Sequence, residues 1–119
     1  MTRSTATVSL RAHFARCQPS VKATYAALLR AVRSFGPVEE QPKKTSIHLA
    51  RRTAFAGVAT QKGAVVLTVK AAADVPSPRV RRRERASANR WHLELKLTDP
   101  REVDTELIGW LRTAYELSA

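Results

Sequence analysis

This sequence lacks paired cysteines, glycine motifs and long apolar runs. Cys17 is the one cysteine in 119 residues, which excludes an internal disulfide and any zinc site built on paired cysteines. No run approaches the roughly 18 consecutive apolar residues of a membrane-spanning helix. The four glycines are isolated, so neither a dinucleotide-binding glycine motif nor a phosphate-binding P-loop is present. We therefore expect no cofactor and no association with a membrane.

Acidic residues are also scarce, and their distribution is uneven. The chain has 21 Lys and Arg against 10 Asp and Glu, which gives a formal net charge of +11. No acidic side chain precedes Glu39, whereas five of the ten follow residue 98. A positive field of this size attracts phosphates and other anions, and it concerns association rather than fold. A genome rich in G and C also raises arginine content, so the excess has a compositional explanation beside the functional one.

Five arginines are concentrated in one short stretch, which is the predicted site for nucleic acid or another polyanion. They are Arg79, Arg81, Arg82, Arg83 and Arg85. Guanidinium groups suit bidentate contacts with phosphate, and such contacts need only charge and reach. No helix-turn-helix or zinc-finger pattern is present, so we expect any nucleic-acid binding to be independent of base sequence.

Length and composition are those of a single globular domain, residues 1–119. Hydrophobic residues make up 44% and charged residues 26% of the chain, close to the averages for globular domains. A domain of this size buries roughly 65% of the surface that its unfolded chain exposes, so one hydrophobic core is expected. We expect residues 1–6 to be disordered. Residues 74–89 combine prolines with the arginine stretch and are predicted to form a long mobile loop.

The N-terminal segment allows two interpretations. Residues 1–16 are rich in Ser, Thr and Arg and contain no acid, which is the composition of an organellar transit peptide. The interpretation that we favour is a short amphipathic helix over Thr7–Arg16, because it keeps one of the three Phe in the core. Its inward-facing residues are Val8, Leu10 and Phe14. A cytoplasmic location follows and agrees with a lone reduced thiol.

Two segments have the apolar spacing of amphipathic helices. Pro19–Ser34 carries apolar residues at i, i+4, i+7, i+8 and i+11 and is followed by a Gly-Pro stop signal. The same spacing recurs from Pro100 to about Leu117. Asp99 and Glu102 stand at the two positions of a capping box at the start of this second segment. The sequence therefore predicts one helix near each end of the chain.

The segments between the helices alternate in polarity as β-strands do. We predict four strands, over residues 44–49, 53–60, 64–70 and 91–97. A further extended piece over residues 38–42 contains a proline, which restricts it to an edge strand or a loop. The predicted fold is an α+β two-layer sandwich. Its sheet has four to five antiparallel strands, with the N-terminal and C-terminal helices packed on one face.

Strand alternation also defines a second set of candidate ligand-binding residues, on the sheet face away from the helices. They are Lys44, His48, His92 and Glu94. If their two strands were near neighbours, these side chains would converge on a phosphate, a carboxylate or a metal. The alternative is an ordinary solvated sheet face. No local metal-ligand spacing such as H-E-x-x-H is present, so we assign no metal ligands.

No catalytic motif is present, and we expect a binding module rather than an enzyme. The nucleophile elbow G-x-S-x-G is missing. His13 precedes Cys17 by one turn, a spacing that permits an activated thiolate, although a small buried cysteine is the commoner arrangement. Anionic ligands are favoured. Two alternatives stay open: an adaptor or homo-oligomer with an apolar patch at Tyr115 and Leu117, and a small-molecule or metal-handling domain that uses the polar sheet face.

A longer succession of residues suggests a family. It runs Tyr25…Leu28-Leu29, Phe35-Gly36-Pro37-Val38, Pro42-Lys43-Lys44-Thr45, Phe55-Ala56, Trp91-His92, Asp99-Pro100, Val103-Asp104, Leu107, Trp110-Leu111 and Ala114-Tyr115. From about Phe14 to Leu117 the chain resembles the bacterial family known as domain of unknown function 5655. That resemblance implies no mechanism, although some members carry the label of transport proteins. The order of elements is remotely similar to small frataxin-like α-β-α sandwiches, whose iron handling would need an acidic ridge on the first helix and strand.

Overall fold

A computed structural model describes residues 9–119. The predictions of disorder over residues 1–6 and of an inward-facing Val8 therefore lie outside the described residues. The helices are α1 (Leu10–Phe14), α2 (Pro19–Arg33) and α3 (Thr105–Leu117). The strands are β1 (Glu39–Pro42), β2 (Ile47–Ala50), β3 (Ala54–Gln61), β4 (Ala64–Ala71), β5 (Arg82–Ser87) and β6 (Arg90–Leu97). A short 3₁₀ helix spans Pro100–Glu102.

The helix predicted over Pro19–Ser34 is confirmed and ends one residue earlier, at Arg33. Pro19 suits the first turn because its missing N–H would have no partner inside the helix. Four of the five residues of the predicted apolar stripe are buried, and the fifth, Leu29, is partly buried against the core. After the helix, Gly36 has φ +151°, and a Cβ atom there would lie 2.5 Å from the Tyr115 hydroxyl oxygen. Glycine is therefore required at Gly36 for both conformation and space.

The predicted C-terminal helix is interrupted, so its start was wrong. The capping box of Asp99 and Glu102 is present, but it caps only the 3₁₀ helix. The chain then leaves helical geometry, and the Asp104 carboxylate accepts a hydrogen bond from the Leu107 amide at 3.1 Å, which begins α3. An aspartate that bonds to the backbone in this way competes with helix continuation and favours a cap.

The sheet has six strands rather than four or five, in the order β1-β2-β3-β4-β6-β5, with every neighbouring pair antiparallel. The additional strand, β5, lies in the segment predicted to be a loop, so that prediction was wrong for residues 82–87. All six β5 residues are exposed, which removes the alternation that marks a strand. Opposite charges face each other across the pair, with Arg82 opposite Glu94, and such pairs stabilise antiparallel strands.

A β-bulge brings Phe55 into the core. The register between β2 and β3 shifts at Leu49 and Ala50, so that β3 has an extra residue there. A bulge can redirect a side chain, and the Phe55 ring packs edge-on against Tyr115 with centroids 5.4 Å apart. Next to β2, β1 ends at Pro42 and is an edge strand of the sheet, as its proline predicted.

The main hydrophobic core lies between the sheet and helices α2 and α3, and a smaller cluster is formed by Ala71, Val80 and Leu93. The α+β prediction is confirmed. The largest fully buried side chains include Leu28, Ile47, Leu67, Leu95 and Leu111. We call the sheet side that meets these helices the covered face and the opposite side the open face.

The helix predicted over Thr7–Arg16 is present over the shorter range Leu10–Phe14, and its predicted inward-facing residues Leu10 and Phe14 are partly buried against the core. It joins the end of the sheet, where Thr60 Oγ1 donates to the His13 carbonyl at 2.6 Å.

Candidate functional site

Arg79 is partly buried and is held by partners within the protein. Its guanidinium donates to Asp104 at 2.9 Å, to Glu106 at 3.0 Å and to the Glu102 carbonyl at 2.8 Å. It also lies 5.8 Å from the ring centroid of Trp110. These interactions connect the segment before β5 to the start of α3. The charge of Arg79 is neutralised by the protein's own carboxylates, so the predicted polyanion site loses one of its five members.

The other four arginines do not form one surface. Arg81 pairs with Glu94 at 3.3 Å, and Arg83 pairs with Asp74 at 2.7 Å. Arg85 lies over the Trp91 ring at 5.8 Å. Within residues 9–119, Arg82 makes no ion pair. Because side chains alternate along a strand, Arg82 and Arg83 point to opposite faces of the sheet.

The four predicted ligand residues are not brought together. His48 lies on β2 and both His92 and Glu94 on β6, with β3 and β4 between them, a separation of about 14 Å at the usual strand spacing. Lys44 is exposed in the turn between β1 and β2. Glu94 is already paired with Arg81. In the part of the chain that the structure describes, no three metal-ligating side chains are grouped.

The same register nevertheless puts His48 and Glu94 on one line across the sheet. Cross-strand pairing runs from His48 to Gly57, from Gly57 to Thr68 and from Thr68 to Glu94. These residues border a shallow groove of about 390 Å³ on the open face. Its floor is made of small side chains, namely Gly57, Ala59, Val66 and Thr68. The two predicted histidines line opposite sides of this groove.

Lys70, which the sequence patterns did not single out, stands at one end of the groove. Its Nζ donates to Ser118 Oγ at 2.8 Å and to Thr53 Oγ1 at 3.3 Å. Burial disfavours the ammonium and lowers the pKa of Lys70, and repulsion from Arg90 lowers it further. The signal in the sequence was a lysine at the end of an otherwise β-branched strand.

A further set of basic residues gathers around the turns at one end of the sheet. Lys62 is tied to this end by its carbonyl, which accepts from the Gln18 amide at 2.7 Å. The Lys43 carbonyl lies 2.8 Å from the His13 ring. Six basic side chains on these connected segments are exposed. This set, which we call the basic end, comprises Arg11, Arg16, Lys22, Lys43, Lys44 and Lys62.

Within the described residues, no side chain of the basic end takes part in an ion pair. Glu39 and Glu40 are the only acidic residues between Ser9 and Ala73. The first turn of α2 contains no acidic residue, and Gln18 provides no side-chain cap, so the positive end of the helix dipole faces the same region. The two long acid-free stretches were the signal in the sequence that could have identified this surface.

Cys17 and His13 do not form the pair that would activate the thiol. The Cys17 thiol donates to the His13 carbonyl at 3.4 Å, while the His13 ring faces the Lys43 carbonyl at 2.8 Å. The imidazole is therefore not directed at the thiol.

The proposed apolar patch at Tyr115 and Leu117 was wrong for Tyr115, which is 3% exposed and belongs to the core.

Comparisons with known proteins give one match. No curated protein and no solved structure matches the chain, and the remote likeness to frataxin-like domains is not shown. Among residues 9–119, no helix is long and apolar enough to cross a membrane. One family model, described as Domain of unknown function (DUF5655), matches residues 11–118. The near full-length resemblance found from the sequence is confirmed, and the chain belongs to this family.

Proposed function

We propose that the protein is a non-catalytic binding module for polyanions, with the phosphates of nucleic acid as the leading ligand and the basic end as the main binding surface. The supporting observation is that six exposed basic side chains stand on segments connected at one end of the sheet, and that none of them makes an ion pair within the described residues. Phosphate binding needs charge and reach rather than a shaped pocket. We include a cytoplasmic location in this proposal because of the lone thiol.

The placement of the acidic residues favours the basic end over residues 79–85, which we call the arginine segment. The arginines that form ion pairs with carboxylates are Arg33, Arg79, Arg81, Arg83 and Arg101. Three of these belong to the arginine segment and none to the basic end. A phosphate approaching the arginine segment would compete with existing partners, whereas one approaching the basic end would replace only water and counterions.

The test is fluorescence anisotropy of a short labelled DNA duplex, titrated at several salt concentrations. The variant Lys43→Glu/Lys44→Glu/Lys62→Glu reverses three charges at the basic end. The matched control Arg82→Glu/Arg85→Glu/Arg90→Glu reverses three charges at the other side of the sheet. The slope of log K against log salt falls by about 0.9 for each phosphate that the protein no longer neutralises. We therefore expect a much shallower slope for the first variant and a smaller change for the control.

Two outcomes would contradict the proposal. If the slope falls as much in the control as in the basic-end variant, the attraction comes from net charge and the basic end is not a specific surface. If the unmodified protein fails to bind the duplex at low salt, the positive charge is compositional and polyanion binding is not the function.

A further inference from the structure

The groove on the open face ends at a lysine that has no anionic partner. Among the described residues, Lys70 forms hydrogen bonds only with two neutral hydroxyl groups, those of Ser118 and Thr53. The charged group that influences it is Arg90, which is also positive. Ordinarily a lysine that is partly removed from water is paired with a carboxylate. The positive charge at this end of the groove is therefore unmatched.

Two hydrogen-bond donors are available at that point. An ammonium group has three N–H donors, and the hydroxyls of Ser118 and Thr53 accept two of them. Ser118 is buried, at 2% exposure, whereas Thr53 is exposed and keeps its own O–H for donation. One N–H of Lys70 and the Thr53 O–H can thus meet a single acceptor group. One ammonium charge matches a monoanion such as a carboxylate, and charge-assisted hydrogen bonds are the stronger kind.

The remainder of the groove suits a flat apolar body. Its floor carries Gly57, Ala59 and Val66, which leave the sheet surface low between the flanking histidines. A Cβ atom at Gly57 would lie 3.9 Å from His48 Cδ2, so the imidazole borders the space that the missing side chain leaves. A glycine inside a strand often marks such a close approach. At about 390 Å³, the groove is near the lower limit for small-molecule sites.

We propose that the open face binds a small carboxylate with a flat apolar body, whose carboxylate bonds to Lys70 and whose body lies on the floor at Gly57. This site is separate from the basic end and does not depend on polyanion binding. The mode of recognition combines one fixed polar interaction with an apolar surface, which is the usual composition of a small-molecule site.

The experiment uses 2-naphthoate as the probe and 2-naphthamide as its neutral counterpart. Each is titrated into ¹⁵N-labelled protein, and amide chemical shifts give the position and the affinity. We expect 2-naphthoate to shift the amides of Gly57, Thr68 and Lys70. The amide should bind at least about tenfold more weakly, because it forms no charge-assisted bond to the ammonium.

Three variants separate the two parts of the site. Lys70→Met removes the charge and keeps the length of the side chain, so it should weaken 2-naphthoate about tenfold and leave 2-naphthamide unchanged. Lys96→Met is the matched control on the same face and should change neither. Gly57→Val fills the floor and should weaken both probes. The dispersion of each spectrum reports whether the variant is folded.

The proposal is overturned if the shifts map outside the groove, if Lys70→Met binds 2-naphthoate as well as the unmodified protein does, or if the two probes bind equally. The basic-end variant gives an independent comparison. It should bind 2-naphthoate normally, and weaker binding there would mean that general charge attraction, rather than the groove, holds the probe.

Discussion

Residues of the covered face and residues of the open face alternate along the same strands, but they differ in burial. On β6, Leu93, Leu95 and Leu97 are each 1% exposed. Their neighbours His92 and Glu94, on the open face, keep 45% and 24% of their side-chain surface exposed. The covered face is continuous with the core. The open face carries small and polar residues that none of the helices within residues 9–119 covers.

This difference indicates that alternate residues of one strand can serve different purposes. The buried residues stabilise the fold, and the open-face residues are available for binding. The buried leucines fix the backbone, and the backbone in turn fixes where the open-face side chains stand. A substitution on one face should therefore affect mainly unfolding and one on the other mainly association. The following predictions test that separation, in order of decreasing effect.

The largest effect should come from Leu95→Ala. Truncating a fully buried leucine loses its transfer free energy and leaves a cavity, at a cost of about 3 kcal/mol. Its neighbour Lys96 is exposed on the open face, and Lys96→Ala should change the free energy of unfolding by less than about 0.5 kcal/mol. Urea unfolding of the two variants measures the contrast. Equal destabilisation would show that the open face also bears on stability.

A similar contrast in stability should hold between Arg79 and Arg82 when each is replaced by alanine. Arg79→Ala removes bonds to Asp104, Glu106 and a backbone carbonyl, and we expect a destabilisation of about 1–2 kcal/mol, since the group is partly exposed. Arg82→Ala should be within about 0.5 kcal/mol of the unmodified protein. Thermal unfolding followed by circular dichroism compares them. A destabilised Arg82→Ala protein would argue that β5 is held by that side chain.

The smallest predicted effect is a pH dependence of the unfolding free energy that arises from Tyr25 on α2. Burial, followed by the hydrogen bond that Tyr25 donates to Glu40 at 2.6 Å, raises the pKa of Tyr25 above its ordinary value of 10.0. The unfolded chain therefore releases this proton first, so the contribution of Tyr25 to stability is complete below about pH 10 and declines above it. Tyr25→Phe should remove this alkaline decline.

Unfolding in urea between pH 8 and pH 11 checks the Tyr25 prediction, with the range chosen around the ordinary tyrosine pKa of about 10. The quantity to compare is the difference in unfolding free energy between the unmodified protein and Tyr25→Phe, because lysine titration affects both proteins alike. That difference should shrink as the pH rises past about 10. A constant difference would mean that the phenol ionises equally readily in the folded and unfolded chains.

The covered face was the part that the sequence could predict. Its leucines and valines alternate with polar residues on β4 and β6, and the stripe of α2 repeats at helical spacing. Each of these signals is local, because it depends on a few neighbouring residues and on burial. The strand β5 has no such signal. All of its side chains are exposed, so only its pairing with β6 makes it a strand.

The candidate sites were less predictable for a different reason. Whether His48 meets Glu94 depends on strand order, and two strands lie between them. Whether Arg79 is available depends on Asp104 and Glu106, which lie 25 and 27 residues further along the chain. Charge can be counted in a sequence, but its neutralisation depends on pairing between distant segments. The basic end and Lys70 became visible only once this pairing was known.

The charges along β5 have one more consequence, which concerns the pairing of this strand with a second copy of the chain. β5 is an outer strand of the sheet, and an outer strand presents unpaired backbone groups to which another chain could add. A second copy approaching along β5 would bring Arg82, Arg83 and Arg85 against the same arginines. The other outer strand, β1, has only four residues and ends in Pro42. Repulsion between the arginines that suggested a ligand would thus also disfavour the addition of a second copy along β5.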